Sequence, residues 1–319
     1  MPKLGNLTVS RQGFGAMGLS NAYGQADDAA SIRTIHRAID LGITFFDTAT
    51  GYGAGHNETL LGNAVANRRD GLVIASKFTH RAAGTAGDAK PIRAKDAVEA
   101  SLKRLGLDHI DLYYLHRVDK SIPVEDSVGE LGRLKDEGKI GGVGVSEVSA
   151  HGIRRAHATY PLTALQSEYS LWTREIEIEI LPTVRELGIG FVSYSPLGRG
   201  FLAGSEVTDP NDRRQQHPRF QPDAIAANSE RRKTIESVAR RLGVTSAQVS
   251  LAWVLSKDAV PIPGTRHIHH LEANWAANEL RLDKDTVAEL EKAFPYGSTV
   301  GTRYPAEMLK SVPADPATA

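Results

Sequence analysis

Polar residues stand at the ends of a series of short apolar runs, and a phenol follows the first of them closely. Asp47 ends the run Ile43 to Phe46, and Tyr52 sits five residues later between Gly51 and Gly53. Lys77 ends Leu72 to Ser76, and His116 ends Ile110 to Leu115. Ser146, Gln166 with Glu168, and Tyr194 close later runs of the same kind. The chemistry open to this set is proton delivery to an oxygen. A phenol with a pKa of ~10 is a poor acid near pH 7. A neighbouring ammonium favours the phenolate and lowers that value. A lysine ending an apolar strand is costly to bury without a carboxylate, and Asp47 is its natural partner. An imidazole can hydrogen-bond a substrate oxygen. Such equipment suits an oxyanion protonated as it forms, as in carbonyl reduction, and the hydride must then come from a cofactor. Taken singly, each residue also has a bland reading. Asp47 could cap a turn, Lys77 could lie on the surface, His116 could cap a strand, and Tyr52 could be an exposed loop aromatic.

The elements between these residues explain how they could meet. Helical periodicity in Ala30 to Leu41 precedes the run Ile43 to Phe46. Helices expected near Glu58 to Ala66, Lys95 to Leu105, Val124 to Glu137, His151 to Thr159 and Glu175 to Leu187 each lead into the next run. Thr245 to Gln248 reads as a capping box opening a helix to Leu255, followed by the strand Val260 to Pro263. Leu7 to Ser10 is half of a hairpin turning on Gly5-Asn6. Counting from Phe14 gives about eight strands alternating with helices at ~30-residue spacing, as βαβ units require. A single (β/α)8 barrel, the TIM-barrel architecture, over residues 1–319 fits, and its strand C-termini converge on one face. Leu202 to Asn228, with Pro210, Pro218 and Pro222, reads as a long polar loop after the seventh strand. Leu282 to Phe294 reads as an extra C-terminal helix capped by Asp283, followed by a loosely ordered tail from Pro305.

The alternative, an open doubly wound sheet, would need a dinucleotide glycine turn. Gly13-Phe14-Gly15-Ala16-Met17-Gly18 spells G-x-G-x-x-G, but it leads into loop sequence rather than a helix. We read it as a strand entering a loop. Lys plus Arg and Asp plus Glu are balanced at 38 each, so no global field draws the chain to nucleic acid or a membrane surface. The absence of cysteine excludes disulfides, thiolate metal sites and a cysteine nucleophile. No run approaches the ~18 apolar residues of a membrane span. The start Met1 to Asn6 lacks the apolar run of a signal peptide, and a cytoplasmic protein is expected. His267-Ile268-His269-His270 lacks a carboxylate or cysteine to complete a metal set and reads as a cofactor-edge or surface cluster. Arg213, Arg214 and Arg219 in the long loop are candidate lid contacts to phosphate.

Over almost its whole length the sequence resembles the aldo-keto reductase superfamily. The match runs through Phe46-Asp47-Thr48-Ala49, Tyr52-Gly53, Ser76-Lys77, Leu115-His116-Arg117, Gly144-Val145-Ser146-Glu147 and Gln166-Ser167-Glu168-Tyr169. It continues through Tyr194-Ser195-Pro196-Leu197-Gly198-Arg199-Gly200-Phe201-Leu202 and Ile262-Pro263-Gly264-Thr265-Arg266. The closest resemblance is to the microbial and plant branch that includes pyridoxal reductases. It implies a catalytic tetrad of Asp47, Tyr52, Lys77 and His116, with Tyr52 as proton donor to an aldehyde or ketone. It implies NADPH lying across the barrel mouth, with Tyr194 stacked on the nicotinamide and Ser146 and Gln166 on its carboxamide. Ala16 and Met17 would contact the nicotinamide side. Ser195, Pro196, Leu197, Gly198 and Gly200 would pass the pyrophosphate. Gly264, Thr265, Arg266, His270 and Asn274 would hold the adenosine 2′-phosphate and adenine at a helix N-terminus. His270 and Ala273 stand where relatives commonly carry Arg or Gln and Glu, which leaves NADH possible. Glu147 stands where many relatives have Asn.

The expected partner is a small carbonyl compound, with no nucleic acid or membrane. The same scaffold in voltage-gated potassium-channel β subunits uses bound nucleotide as a signal, so a nucleotide-sensing binding subunit is the alternative. Loops such as Ala22 to Asp28, the residue Trp172, and residues after Thr302 would shape the substrate pocket. The sequence carries no readable code for the physiological substrate or the oligomeric state.

Overall fold

The structure, a computed structural model, describes residues 1–81, 91–209 and 211–313. Strands β1 (Lys3–Leu4) and β2 (Leu7–Thr8) pair antiparallel as the expected hairpin, with Gly5 at φ 56° in its turn. Eight parallel strands follow in chain order: β3 (Phe14–Gly15), β4 (Phe45–Asp47), β5 (Val73–Phe78), β6 (Leu112–Leu115), β7 (Val143–Ser146), β8 (Ala164–Glu168), β9 (Gly190–Tyr194) and β10 (Val260–Pro261). Gly13 N–H donates to Pro261 O at 2.9 Å, so the first and last of these strands meet and the sheet closes on itself. The seam is tight. A methyl group on Gly264 would lie 2.2 Å from Gly15 O.

Helices α1 (Asp28–Asp40), α2 (His56–Val65), α3 (Ala94–Leu105), α4 (Val124–Asp136), α5 (Ala150–Thr159) and α6 (Ile180–Glu186) alternate with the strands. Then come α7 (Pro222–Leu242), α8 (Ser246–Leu255), α9 (Ile268–Ala276), α10 (Lys284–Ala293) and the single turn α11 (Ala306–Leu309). Local chemistry sets their ends. Asp27 caps α1 by accepting from Ala30 N–H at 2.6 Å, and the Thr245–Gln248 capping box opens α8. Asp283 accepts from Thr286 N–H at 2.7 Å to start α10. Each such cap is worth about 1 kcal/mol. This is the expected (β/α)8 architecture.

Three segments differ from the expected bounds. β5 runs on to Phe78, so Lys77 lies inside the strand rather than at its end. The chain after β9 is less irregular than a long loop. It forms short 3-10 turns at Gly198–Ala203, Arg213–Gln216 and Pro218–Phe220, and α7 already begins at Pro222. Helix α7 escapes a periodicity search because its buried side begins with Ala224 and Asn228, and strong apolar residues appear only at Ile235 and Val238. Pro210 and the tail from Ala314 lie outside the described residues. Among the described residues no helix is long and apolar enough to cross a membrane.

Two cores follow from strand alternation. Phe45, Val73, Ala75, Leu112, Tyr114, Ala164, Val192, Val260 and Ile262 fill the barrel interior, and Leu4 and Val9 from the hairpin region join them. The intervening residues Phe46, Ile74, Tyr113, Val143, Leu165 and Phe191 face the helices. Glycine at 144 makes room inside, since a methyl group there would fall 2.3 Å from the Tyr114 ring.

Candidate active site

The same alternation sends the polar strand-end residues inward. Asp47, Lys77, His116, Gln166 and Tyr194 each follow an interior residue of their own strand by an even number of positions (Phe45, Val73, Leu112, Ala164, Val192), and Ser146 follows Gly144 in the same way. All therefore meet at the C-terminal end of the barrel, where Tyr52 arrives on the turn Tyr52–Gly55 after β4.

Lys77 is wholly buried and pairs with Asp47, itself 2% exposed. Its ammonium also donates to Thr48 O at 2.8 Å and to Tyr52 Oη at 3.4 Å. The second oxygen of Asp47 accepts from Gln166 Nε2 at 2.8 Å. The ring of His116 meets Tyr52 edge-on, with centroids 5.8 Å apart at 84°. The structure thus brings all four residues of the expected tetrad together. Tyr114, a second phenol near Lys77, is fully buried and out of reach of any ligand.

The electrostatics refine one expectation. Burial lowers the Lys77 pKa, but Asp47 and Tyr52 outweigh it and hold the ammonium above its usual range. Burial pushes the Asp47 carboxyl up against the pull of Lys77 and Gln166. Tyr52 was expected to fall below the ordinary phenol value beside an ammonium. It is raised instead, because burial outweighs the downward pull of Lys77 and Arg117. Burial, Arg117 and Lys77 together hold His116 well below its ordinary value, so its imidazole is neutral.

A ring of charged and phenolic groups surrounds this centre, and sequence reasoning gave most of them no role. Glu147, buried and left-handed at φ 54°, accepts from both Nη atoms of Arg303 at 3.1–3.2 Å and from Tyr194 Oη at 2.8 Å. Tyr304 Oη lies 2.8 Å from Tyr194 Oη and accepts from Arg117 Nη2 at 3.3 Å. Arg117 Nη1 donates to His116 O at 2.6 Å and Ser146 Oγ at 3.1 Å. Asn57 ties the loops together, donating to Ala16 O at 2.9 Å and accepting from Thr48 Oγ1 at 2.6 Å. The available signal was a polar Asn57-Glu58 pair opening an otherwise apolar helix. The residues after Thr302 were expected at the substrate pocket, but nothing in the sequence paired Arg303 with Glu147 or Tyr304 with Tyr194.

The residues assigned to a cofactor fall along one track. Ala16 and Met17 lie on the turn after β3, and Ser146, Gln166 and Tyr194 at strand ends. Ser195, Gly198 and Gly200 all have positive φ, as does Arg199 between them. Such left-handed residues shape concavities of backbone amides suited to anions and mark functional turns. Pro196 and Leu197 complete that turn. Gly264, Thr265 and Arg266 lead into α9, whose first turn has no side-chain cap. His270 is exposed there, while Asn274 is buried and its amide has no partner among the described residues.

Three arginines and one tryptophan stand differently from expectation. Arg266 directs its guanidinium to the carbonyls of Tyr23, Gly24 and Gln25, at 2.8 Å and 3.1 Å for the first two. Arg219 is buried on Thr173 and Glu168 rather than facing a phosphate channel, because Glu168 offers it a carboxylate at 3.4 Å. Arg214 is held by Asp212 and Arg199 O. Trp172 lies under Phe201, ring centroids 4.0 Å apart, and is 1% exposed.

Comparison with known proteins agrees with this geometry. Residues 12–294 match the aldo/keto reductase family. The chain is 46% identical over 308 residues to a probable aldo-keto reductase 1 of Glycine max, covering 93% of this chain and 88% of that protein. It superimposes on a glycerol dehydrogenase of Gluconobacter oxydans with a TM-score of 0.79 at 26% identity, over 98% and 95% of the two chains. An aldo-keto reductase of Klebsiella pneumoniae, solved with NADPH, gives 0.73 at 27% identity over 92% and 95%. The chain belongs to the aldo/keto reductase family.

Proposed function

We propose that the protein reduces aldehydes and ketones to alcohols with NADPH, Tyr52 being the proton donor. The observation that carries this reading is the chain Asp47–Lys77–Tyr52, buried at its base and reaching the mostly buried phenol beside His116. The residues present fit the dinucleotide. The left-handed residues Ser195, Gly198, Arg199 and Gly200 suit a pyrophosphate, and the uncapped start of α9 with the free Asn274 amide suits an adenosine phosphate. The NADPH complex of the Klebsiella pneumoniae relative supports the same choice. When bound, the cofactor supplies a hydride to the carbonyl carbon.

The side chains attend to the oxygen. As the C=O π pair moves onto it, Tyr52 Oη gives up its proton and the alcohol O–H forms. A raised phenol pKa keeps Tyr52 protonated until that moment, and the Lys77 ammonium stabilises the phenolate left behind. Asp47 anchors the lysine and does not act as a base. Neutral His116 donates a hydrogen bond that orients the carbonyl without adding a competing charge. Tyr52→Phe removes the proton and keeps the ring. Reduction of 4-nitrobenzaldehyde should be abolished while NADPH still binds in a fluorescence titration, and parental turnover in the variant would overturn the mechanism.

A further inference from the structure

Among the described residues, Lys77, Arg199, Arg219 and Arg303 at the barrel mouth each have a carboxylate within ion-pair distance. Asp47 answers Lys77, Glu147 answers Arg303, and Glu168 is shared by Arg199 and Arg219. Arg117 has none among the described residues. Its contacts are a carbonyl, two hydroxyl groups and the ring of Tyr194, whose centroid lies 5.9 Å from its guanidinium carbon. Glu147, the carboxylate that acts on it electrostatically, is already engaged by Arg303, Tyr194 and the Glu168 N–H. Neutral acceptors satisfy some guanidinium hydrogens, and Glu147 acts on its charge only from beyond ion-pair distance, in a partly desolvated site.

The position of that charge is specific. Arg117 adjoins His116 in sequence and holds its carbonyl, and His116 in turn contacts the Tyr52 ring. Among the described residues next to His116 and Tyr52, Lys77 is paired with Asp47, whereas Arg117 has no carboxylate within ion-pair distance. Guanidinium donors sit in a planar fork that matches a carboxylate.

We propose that Arg117 is a specificity-determining residue that receives a carboxylate carried by the carbonyl substrate, so that the preferred substrates are anionic aldehydes or keto acids. This rests on the carbonyl-reductase reading above. The carboxylate takes the place of the missing counter-ion while the carbonyl oxygen meets Tyr52 and His116. Tyr304 and Ser146, which share the guanidinium in the structure, set its direction.

The test uses the 2-, 3- and 4-isomers of carboxybenzaldehyde against the corresponding nitrobenzaldehydes, scanning the charge around the ring at similar size. In the parent, at least one carboxylate isomer should have the higher kcat/KM, although the nitro group activates the carbonyl more. Arg117→Met should lower that ratio roughly 10- to 100-fold, the range for losing a hydrogen bond to a charged group. Arg117→Lys should retain part of it. Calorimetry with benzoate and benzamide gives a readout independent of turnover: benzoate should bind more tightly to the parent and lose that advantage in Arg117→Met. A parent that prefers every nitro isomer, or a variant that loses both members of each pair equally, would overturn the proposal. The parental comparison stands even if the variants fail to fold. A parent that reduces no aldehyde at all would instead refute the reductase reading.

Discussion

Replacing Asp47 by Asn tests the foundation of the site. Asp47 now accepts from two buried donors, Lys77 Nζ on one oxygen and Gln166 Nε2 on the other. Asparagine offers one acceptor and one donor, so either Lys77 or Gln166 faces an N–H instead of an oxygen. If the lysine keeps its charge, it is buried without a counter-ion, and breaking such a pair costs about 3–5 kcal/mol. With an unfolding entropy of ~2.1 cal/mol/K per residue, a chain of 319 residues loses roughly 4–7 °C in melting temperature. The lysine can relieve this by releasing its proton, since Asp47 and Tyr52 are what hold its pKa up. The deficit of the variant should therefore shrink as pH rises toward 9. Adding Lys77→Met removes the orphaned charge, and the double variant should recover most of the lost stability while remaining inactive. Melting curves of the parent, both single variants and the double variant at pH 7.5 and 9 supply the cycle. An Asp47→Asn protein that melts within about 1 °C of the parent at pH 7.5 would refute the buried-pair argument.

Further outcomes follow from the histidines. His116 has a folded pKa well below its unfolded value, so the unfolded chain binds more protons and stability is lost as pH falls below about 6.5. The contribution reaches up to about 2 kcal/mol by pH 5, and His116→Asn should show a smaller drop in melting temperature between pH 7.5 and 5 than the parent. At the start of α9, His270 is held below its ordinary value by burial and by His269 and His267, while Arg266 is engaged with three carbonyls. At pH 7.5 the affinity ratio of NADP+ to NAD+ should accordingly be modest, and it should rise toward pH 5.5 more in the parent than in His270→Gln. Comparing the two proteins separates the imidazole from the phosphate's own protonation at pKa ≈ 6. Equal ratios at both pH values in parent and variant would exclude a role for His270.

Much of this centre was legible because local alternation and fold symmetry act together. Once Ile43 to Phe46 and Leu72 to Ser76 are strands of one parallel barrel, Asp47 and Lys77 must point inward at neighbouring strand ends. What escaped the sequence depends on contacts between residues far apart in the chain. Arg303 reaches Glu147 across 156 positions and Tyr304 reaches Tyr194 across 110, and neither segment has periodicity to announce it. The Tyr52 phenol shows a different limit. Its charged neighbour could be named from sequence, but the extent of its burial, which decides the net shift, could not.

The hairpin at the other end of the barrel decides from which side the interior can be reached. Leu4 and Val9 pack with Phe45, Val73 and Val260 in the interior, so the vessel has a floor. A molecule that meets Tyr52 comes instead from the opposite end, the mouth where Tyr194, Arg117 and Tyr304 gather.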